Sequence, residues 1–181
     1  VLILDAATGD VVQALTAGED DVNDVSWSPD SERILTGLGD DRAAIWDASR
    51  GERLLTLEGH RDMITSVAWS PNGQRVLTGS QDGTARIWDA ATGQTTQTLT
   101  TSGMNSAAWS PDGTRILTTG PHGVHMWDTA TGETTHTLTT DWTDSAEWSP
   151  DGTRLATSSY LSPRVLILDA STGDVVQALT A

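Results

Sequence analysis

The chain has 181 residues, of which 36% are hydrophobic and 19% charged, and its formal net charge is −15. Such a balance repels phosphate backbones and anionic membranes, so nucleic-acid binding and membrane attachment are excluded as main functions. With no cysteine, disulfides, thiolate zinc sites and thiol nucleophiles are excluded too.

Val1 stands inside an already patterned segment, without an initiator Met or a leader-like apolar region, so the start reads as cut, processed or engineered. A soluble protein, cytoplasmic rather than secreted, is the expectation. VLILDAATGDVVQALTA (1–17) is two apolar bursts around Thr8–Gly9, the pattern of a hairpin. Glu19-Asp20-Asp21 follows. It lacks the spacing of a calcium loop and reads as a solvated connection.

Four units of about forty residues come next, expected at 22–57, 63–99, 104–138 and 143–181. Their signposts recur in register. WSPD or WSPN begins at Trp27, Trp69, Trp109 and Trp148. WD follows at Trp46–Asp47, Trp88–Asp89 and Trp127–Asp128, and Leu4–Asp5 and Leu168–Asp169 hold the same slot. Within the second unit the bursts are Ile64–Ser70, Gln74–Gly79, Thr84–Asp89 and Gln94–Leu99, parted by PNG, QDG and ATG. β-branched residues bounded by turn formers predict four short antiparallel strands, here a to d. The fourth unit carries an odd b–c connection, SSYLSPR (158–164), and ends in VLILDASTGDVVQALTA (165–181). That segment repeats the N-terminal one with a single change, Ala7 to Ser171.

A lone sheet of this kind cannot bury both faces, and stacking such sheets around an axis solves that problem. The period, the WD dipeptides and the SPDG turns resemble the WD40 repeat family over essentially the whole chain. The resemblance implies an all-β fold of four-stranded propeller blades, about four per chain, preceded by a spare c–d half-blade at 1–17. It also implies a hydrogen-bonded set in each blade, fully matched only in the second unit by His60, Thr78, Asp82 and Trp88. The first unit keeps Thr36, Asp40 and Trp46. The third keeps Thr118 and Trp127, with His122 in place of the turn Asp, and the fourth lacks the set. A His–Thr–Asp group also raises acyl transfer, but no nucleophile elbow or oxyanion loop accompanies it. No catalytic residue is expected. His122 and His125 are placed on opposite faces of strand c, so no metal and no cofactor is expected.

Rings of the family usually hold seven or eight blades, so four imply half of an eight-bladed ring completed by a second copy. Val1, Leu2, Ile3 and Leu4, or Val165, Leu166, Ile167 and Leu168, are the candidate assembly hairpins, one copy finishing the other's last blade by strand exchange. The duplication is equally what a piece of a longer tandem array, or a built repeat, would show. The family's binding face, formed by d–a and b–c loops, would present Asp20, Asp21, Asp40, Asp41, Arg61, Asp62, Met63, Gln81, Ser102, Met104, His122, Asp141, Trp142 and Tyr160. Its acidity favours a basic peptide. The expected function is therefore a non-enzymatic interaction scaffold that self-assembles. The alternatives are an engineered or recently amplified assembling repeat without a ligand and, behind it, a propeller-channel hydrolase.

Overall fold

The computed structural model describes residues 1–16, 21–101, 103–138 and 142–180. Among these, every regular element is a β-strand. A two-stranded hairpin, β1 (Leu2–Leu4) and β2 (Val11–Ala14), comes first. The first four-stranded sheet is β3 (Val22–Trp27), β4 (Arg33–Leu38), β5 (Ala43–Asp47) and β6 (Arg53–Leu57). The second is β7 (Ile64–Trp69), β8 (Arg75–Ser80), β9 (Thr84–Asp89) and β10 (Thr95–Thr100). The third is β11 (Ser106–Trp109), β12 (Arg115–Gly120), β13 (Gly123–Asp128) and β14 (Thr134–Thr137). The fourth is β15 (Ser145–Trp148), β16 (Arg154–Ser159), β17 (Ser162–Asp169) and β18 (Val175–Thr180). Each is an antiparallel meander, with strands paired in chain order.

Turn chemistry explains the regularity. In the a–b turn of the first sheet, the Ser28 hydroxyl donates to Asp30 and accepts the Arg33 N–H at 2.9 Å. Ser70, Ser110 and Ser149 make the same clip with Asn72, Asp112 and Asp151. The Asp that ends each strand c fastens the c–d turn. Asp47 Oδ1 accepts the N–H groups of Ser49 and Arg50, and Asp89 Oδ1 those of Ala91 and Thr92. Asp5, Asp128 and Asp169 repeat this in their own turns. The WD aspartate is thus a turn clip. Its donors hold these carboxyls below the usual range; for Asp47 the Ser49 hydroxyl contributes most and for Asp5 the Thr8 amide does.

The sheets pack in sequence, strand a against strand a: β3 on β7, β7 on β11, β11 on β15. Asp24 reaches across to accept the Val67 N–H at 2.8 Å, and Asn23 donates to the Ile64 carbonyl at 3.0 Å. Ser66 binds the Ala107 N–H at 3.1 Å one interface further on. Three apolar clusters fill the gaps between neighbouring sheets: one around Leu35 and Trp69, one around Leu77 and Trp109, one around Leu117 and Trp148. Gly37 permits the first approach, because a Cβ there would lie 2.6 Å from Ile64 Cγ2.

Trp69, Trp109 and Trp148, each the last residue of a strand a, are buried as expected. Trp27 is not: it is 49% exposed. Among the described residues the element before the first sheet is the two-stranded hairpin β1–β2, and it leaves this indole uncovered. The fourth b–c connection also differs from expectation. Ser159 pairs with Ser162, so most of 158–164 is strand and the turn shrinks to Tyr160–Leu161. Pro163 is tolerated in β17 because it falls at the register shift between the Thr157 and Ser159 pairs, before pairing with β18 begins at Arg164.

Ser31 occupies a left-handed conformation, φ 61°, where Gly73, Gly113 and Gly152 stand in the other a–b turns. Cβ crowding makes that conformation unfavourable by about 1 kcal/mol for an L-residue. Ser31→Gly is expected to raise stability by roughly 0.5–1 kcal/mol, read as a higher urea midpoint at unchanged slope.

Candidate functional site

The second sheet contains the most developed polar cluster. Thr78 stands mid-β8 beside Arg86 of β9, its side chain fully enclosed. Trp88 Nε1 donates to Thr78 Oγ1 at 2.9 Å, and Thr78 Oγ1 lies 2.7 Å from His60 Nε2. His60 Nδ1 lies 2.9 Å from Asp82 Oδ2. An ionised Asp82 can only accept, so Nδ1 carries the proton and Nε2 receives the threonine hydroxyl hydrogen. The hydrogen bonds then run one way, from Trp88 to Thr78 to His60 to Asp82.

Asp82 is further held by the Arg61 N–H at 3.0 Å and the Thr84 hydroxyl at 2.6 Å. Burial pushes its carboxyl up, but the donors from Thr84, His60 and Arg61 outweigh that and leave it below the usual range. Burial pushes the His60 imidazole down, against the raising influence of Asp82. The histidine is therefore neutral at pH 7 and serves as a relay of hydrogen bonds between the d–a loop and the sheet. A Thr78 hydroxyl without solvent access, and already accepting an indole N–H, has no room to attack a substrate.

The related sets are shorter. Trp46 Nε1 donates to Thr36 and Trp127 Nε1 to Thr118, each at 2.9 Å. Asp40 turns to Arg42 instead, in a close ion pair. His122 lies in the turn before β13, and His125 within that strand hydrogen-bonds Thr137. Burial, and then the neighbouring His122, push the His125 imidazole down. Among the described residues no three His, Asp or Glu side chains gather as metal ligands.

The loop face is only partly as expected. Asp21, Arg61, Asp62, Gln81, His122 and Tyr160 are exposed, while Asp40, Asp41, Met63 and Trp142 are half-buried. Met104 does not belong to the face: it is 4% exposed and packs in the cluster of Leu77 and Trp109, filling the space above Gly79. Asp20, Ser102 and Asp141 lie outside the described residues. Trp142 and Tyr160 meet edge to face at 5.7 Å, with the Trp142 Nε1 donating to Asp144 at 2.8 Å. Asp144 Oδ2 also takes the Tyr160 N–H. Beside them opens a cleft of about 340 Å³, walled by Trp142, Leu161, Arg164 and Leu166.

Sequence reasoning missed a second periodic contact. The guanidinium of Arg33 stacks on Trp69 at 4.5 Å, Arg75 on Trp109 at 4.8 Å and Arg115 on Trp148 at 4.8 Å. Each pair joins the first residue of one strand b to the last residue of the next sheet's strand a. The signal was present: Arg33, Arg75, Arg115 and Arg154 are spaced as Trp27, Trp69, Trp109 and Trp148 are.

Thr78→Val is expected to destabilise the protein by about 1–3 kcal/mol, since it strands the Trp88 N–H and the His60 Nε2 in the interior. The His60 imidazole, lowered in the folded state, adds a pH dependence of definite sign. Its contribution is complete above the unfolded value of 6.5 and declines as pH falls from there toward the lowered folded value. Thermal melts from pH 8 to 5 are expected to show this acid-side loss in the wild type and a smaller loss in His60→Gln.

A search of curated proteins finds no match to the chain. The family model described as "WD domain, G-beta repeat" matches residues 9–47, 51–89 and 93–128, more than half of the chain, each match running from strand d of one sheet to the Asp of the next WD position. The chain belongs to the WD40 repeat family, and that membership points to a protein-interaction scaffold.

Proposed function

We propose that this chain is a non-enzymatic WD40 scaffold that completes its own propeller by self-association, two copies forming an eight-bladed ring. The observation that supports this is the state of the two outermost sheet surfaces. The sheets interlock through three interfaces, yet on the first sheet Val25 and Trp27, and on the fourth Val165 and Leu179, remain exposed. Both surfaces are of the kind that every inner interface buries, and a soluble protein rarely leaves such patches uncovered. A two-fold pair satisfies both at once and closes the assembly. A product of repeat amplification with no ligand of its own would assemble in the same way.

The completed ring would carry the loop face twice. Asp21, Asp41 and Asp62 give that face its negative charge, Asp40 being paired with Arg42, and the Trp142–Tyr160 pair offers aromatic contact area beside the cleft. A basic peptide or a basic protein loop is the partner this chemistry fits.

Light scattering on size-fractionated protein tests the assembly. The expected mass is twice 19.2 kDa at tens of micromolar. A folded species that holds 19.2 kDa at every concentration rejects the two-copy ring. For the face, an arginine-rich peptide is expected to bind wild type, with Trp142→Ala weakening it about tenfold or more. Equal binding by both proteins removes Trp142 from the site.

A further inference from the structure

The two terminal hairpins are one object in two surroundings. Leu2, Ile3 and Leu4 pair with Ala14, Gln13 and Val11, and Leu166, Ile167 and Leu168 pair with Ala178, Gln177 and Val175. Both show a register shift at the same step. Both turns are clipped by an aspartate, Asp5 in one and Asp169 in the other.

They nevertheless cover opposite faces. Leu15 is 3% exposed, packed with Ile34, Ala44 and Trp46 of the first sheet, whereas its equivalent Leu179 is 45% exposed. Leu4 is 54% exposed, whereas its equivalent Leu168 is buried against the third sheet with Leu117 and Trp148. Neither instance covers both of its apolar faces. A hairpin of this sequence is fully covered only when it lies between a preceding sheet, as β17–β18 does, and a following one, as β1–β2 does.

On the two-copy ring reading, on which this inference rests, we propose that β1–β2 is a placeholder. It occupies, on the first sheet, the site that the fourth sheet of a second copy takes in the assembly, and it is displaced when that copy docks. Residue for residue, β17–β18 of the incoming copy offers the first sheet what β1–β2 offers. It also brings β15 and β16, which the placeholder lacks. Arg154 heads β16 and is exposed along the open groove of the fourth sheet, while Arg33, Arg75 and Arg115 are half-buried against indoles. Trp27 is the one strand-a indole with no arginine over it among the described residues. Docking supplies the missing fourth stack, Arg154 of one copy on Trp27 of the other, so the incoming sheet outbids the placeholder.

The order of displacement follows from anchoring. β17 is joined to β16 by the short turn at Tyr160–Leu161 and paired with it from Arg154 to Ser159. Among the described residues β1 pairs with β2 alone, over three residues, and its other edge has no strand beside it. The weaker-held copy yields. Self-association is then governed by an intramolecular competitor, which lowers apparent affinity by the fraction of chains in which the site is already filled.

Ile3→Asp and Ile167→Asp, each made in the 181-residue chain, separate the possibilities, because Ile3 packs toward the first sheet and Ile167 lines the open groove of the fourth. Sedimentation equilibrium over a concentration series reads the dimer dissociation constant, and circular dichroism checks that each variant is folded. Ile3→Asp is expected to tighten the dimer about tenfold or more by emptying the site. Ile167→Asp is expected to abolish it, and Arg154→Ala, at an exposed position, to weaken it roughly fivefold. If Ile3→Asp instead dissociates the dimer while Ile167→Asp leaves it intact, β1–β2 itself enters the seam, and the placeholder is overturned while the ring stands. Unchanged constants in both variants overturn it equally. A monomeric wild type with a dimeric Ile3→Asp variant supports the placeholder and rejects the ring for the unmodified chain. Monomers throughout reject both.

Discussion

Every sheet in this chain is apolar on both faces, and a four-stranded meander has nothing of its own to cover either. The inner interfaces answer that need with a repeated set of parts: an indole at the end of strand a, an arginine at the head of the preceding strand b, and aliphatic residues between them. The stacked arginine does two jobs. Its planar face covers the indole, and its charge stays at the rim where solvent reaches it. The arrangement suits a chain with few cations, since ten arginines and no lysine are available and three are committed to this contact.

The hydrogen-bonded set in the second sheet belongs to the same logic. A tryptophan in strand c has an N–H that must be satisfied inside the blade, and a threonine on the neighbouring strand b satisfies it in three of the four sheets. Among the described residues only the second sheet extends the relay to a histidine and an aspartate, which tie the d–a loop to the b–c turn. In the fourth sheet Leu168 removes the N–H, so Thr157 has no indole to serve.

Much of this could be read in advance. The spacing of Trp27, Trp69, Trp109 and Trp148 marked the sheets, and the WD and SPD positions marked turns whose side-chain clips are local. His60, Thr78, Asp82 and Trp88 were legible through the resemblance to the repeat family, whose hydrogen-bonded set they match residue by residue. Met104 was misread as a surface residue because a loop position says nothing about whether the neighbouring sheet leaves a hole to fill; the glycine at 79 leaves one. The Tyr160–Leu161 turn was misread because a proline and three serines look like a loop until pairing is seen to resume at Ser162.

The sequence by itself determined the repeat, the strands and the turns, because these depend on contacts within a few residues. It also determined that two hairpins would be alike. Only the tertiary structure decided what each copy covers. Leu15 is buried and Leu179 exposed, although they are the same residue of the same segment. The difference lies in which sheet stands beside them, and burial is a property of neighbours that no local pattern carries.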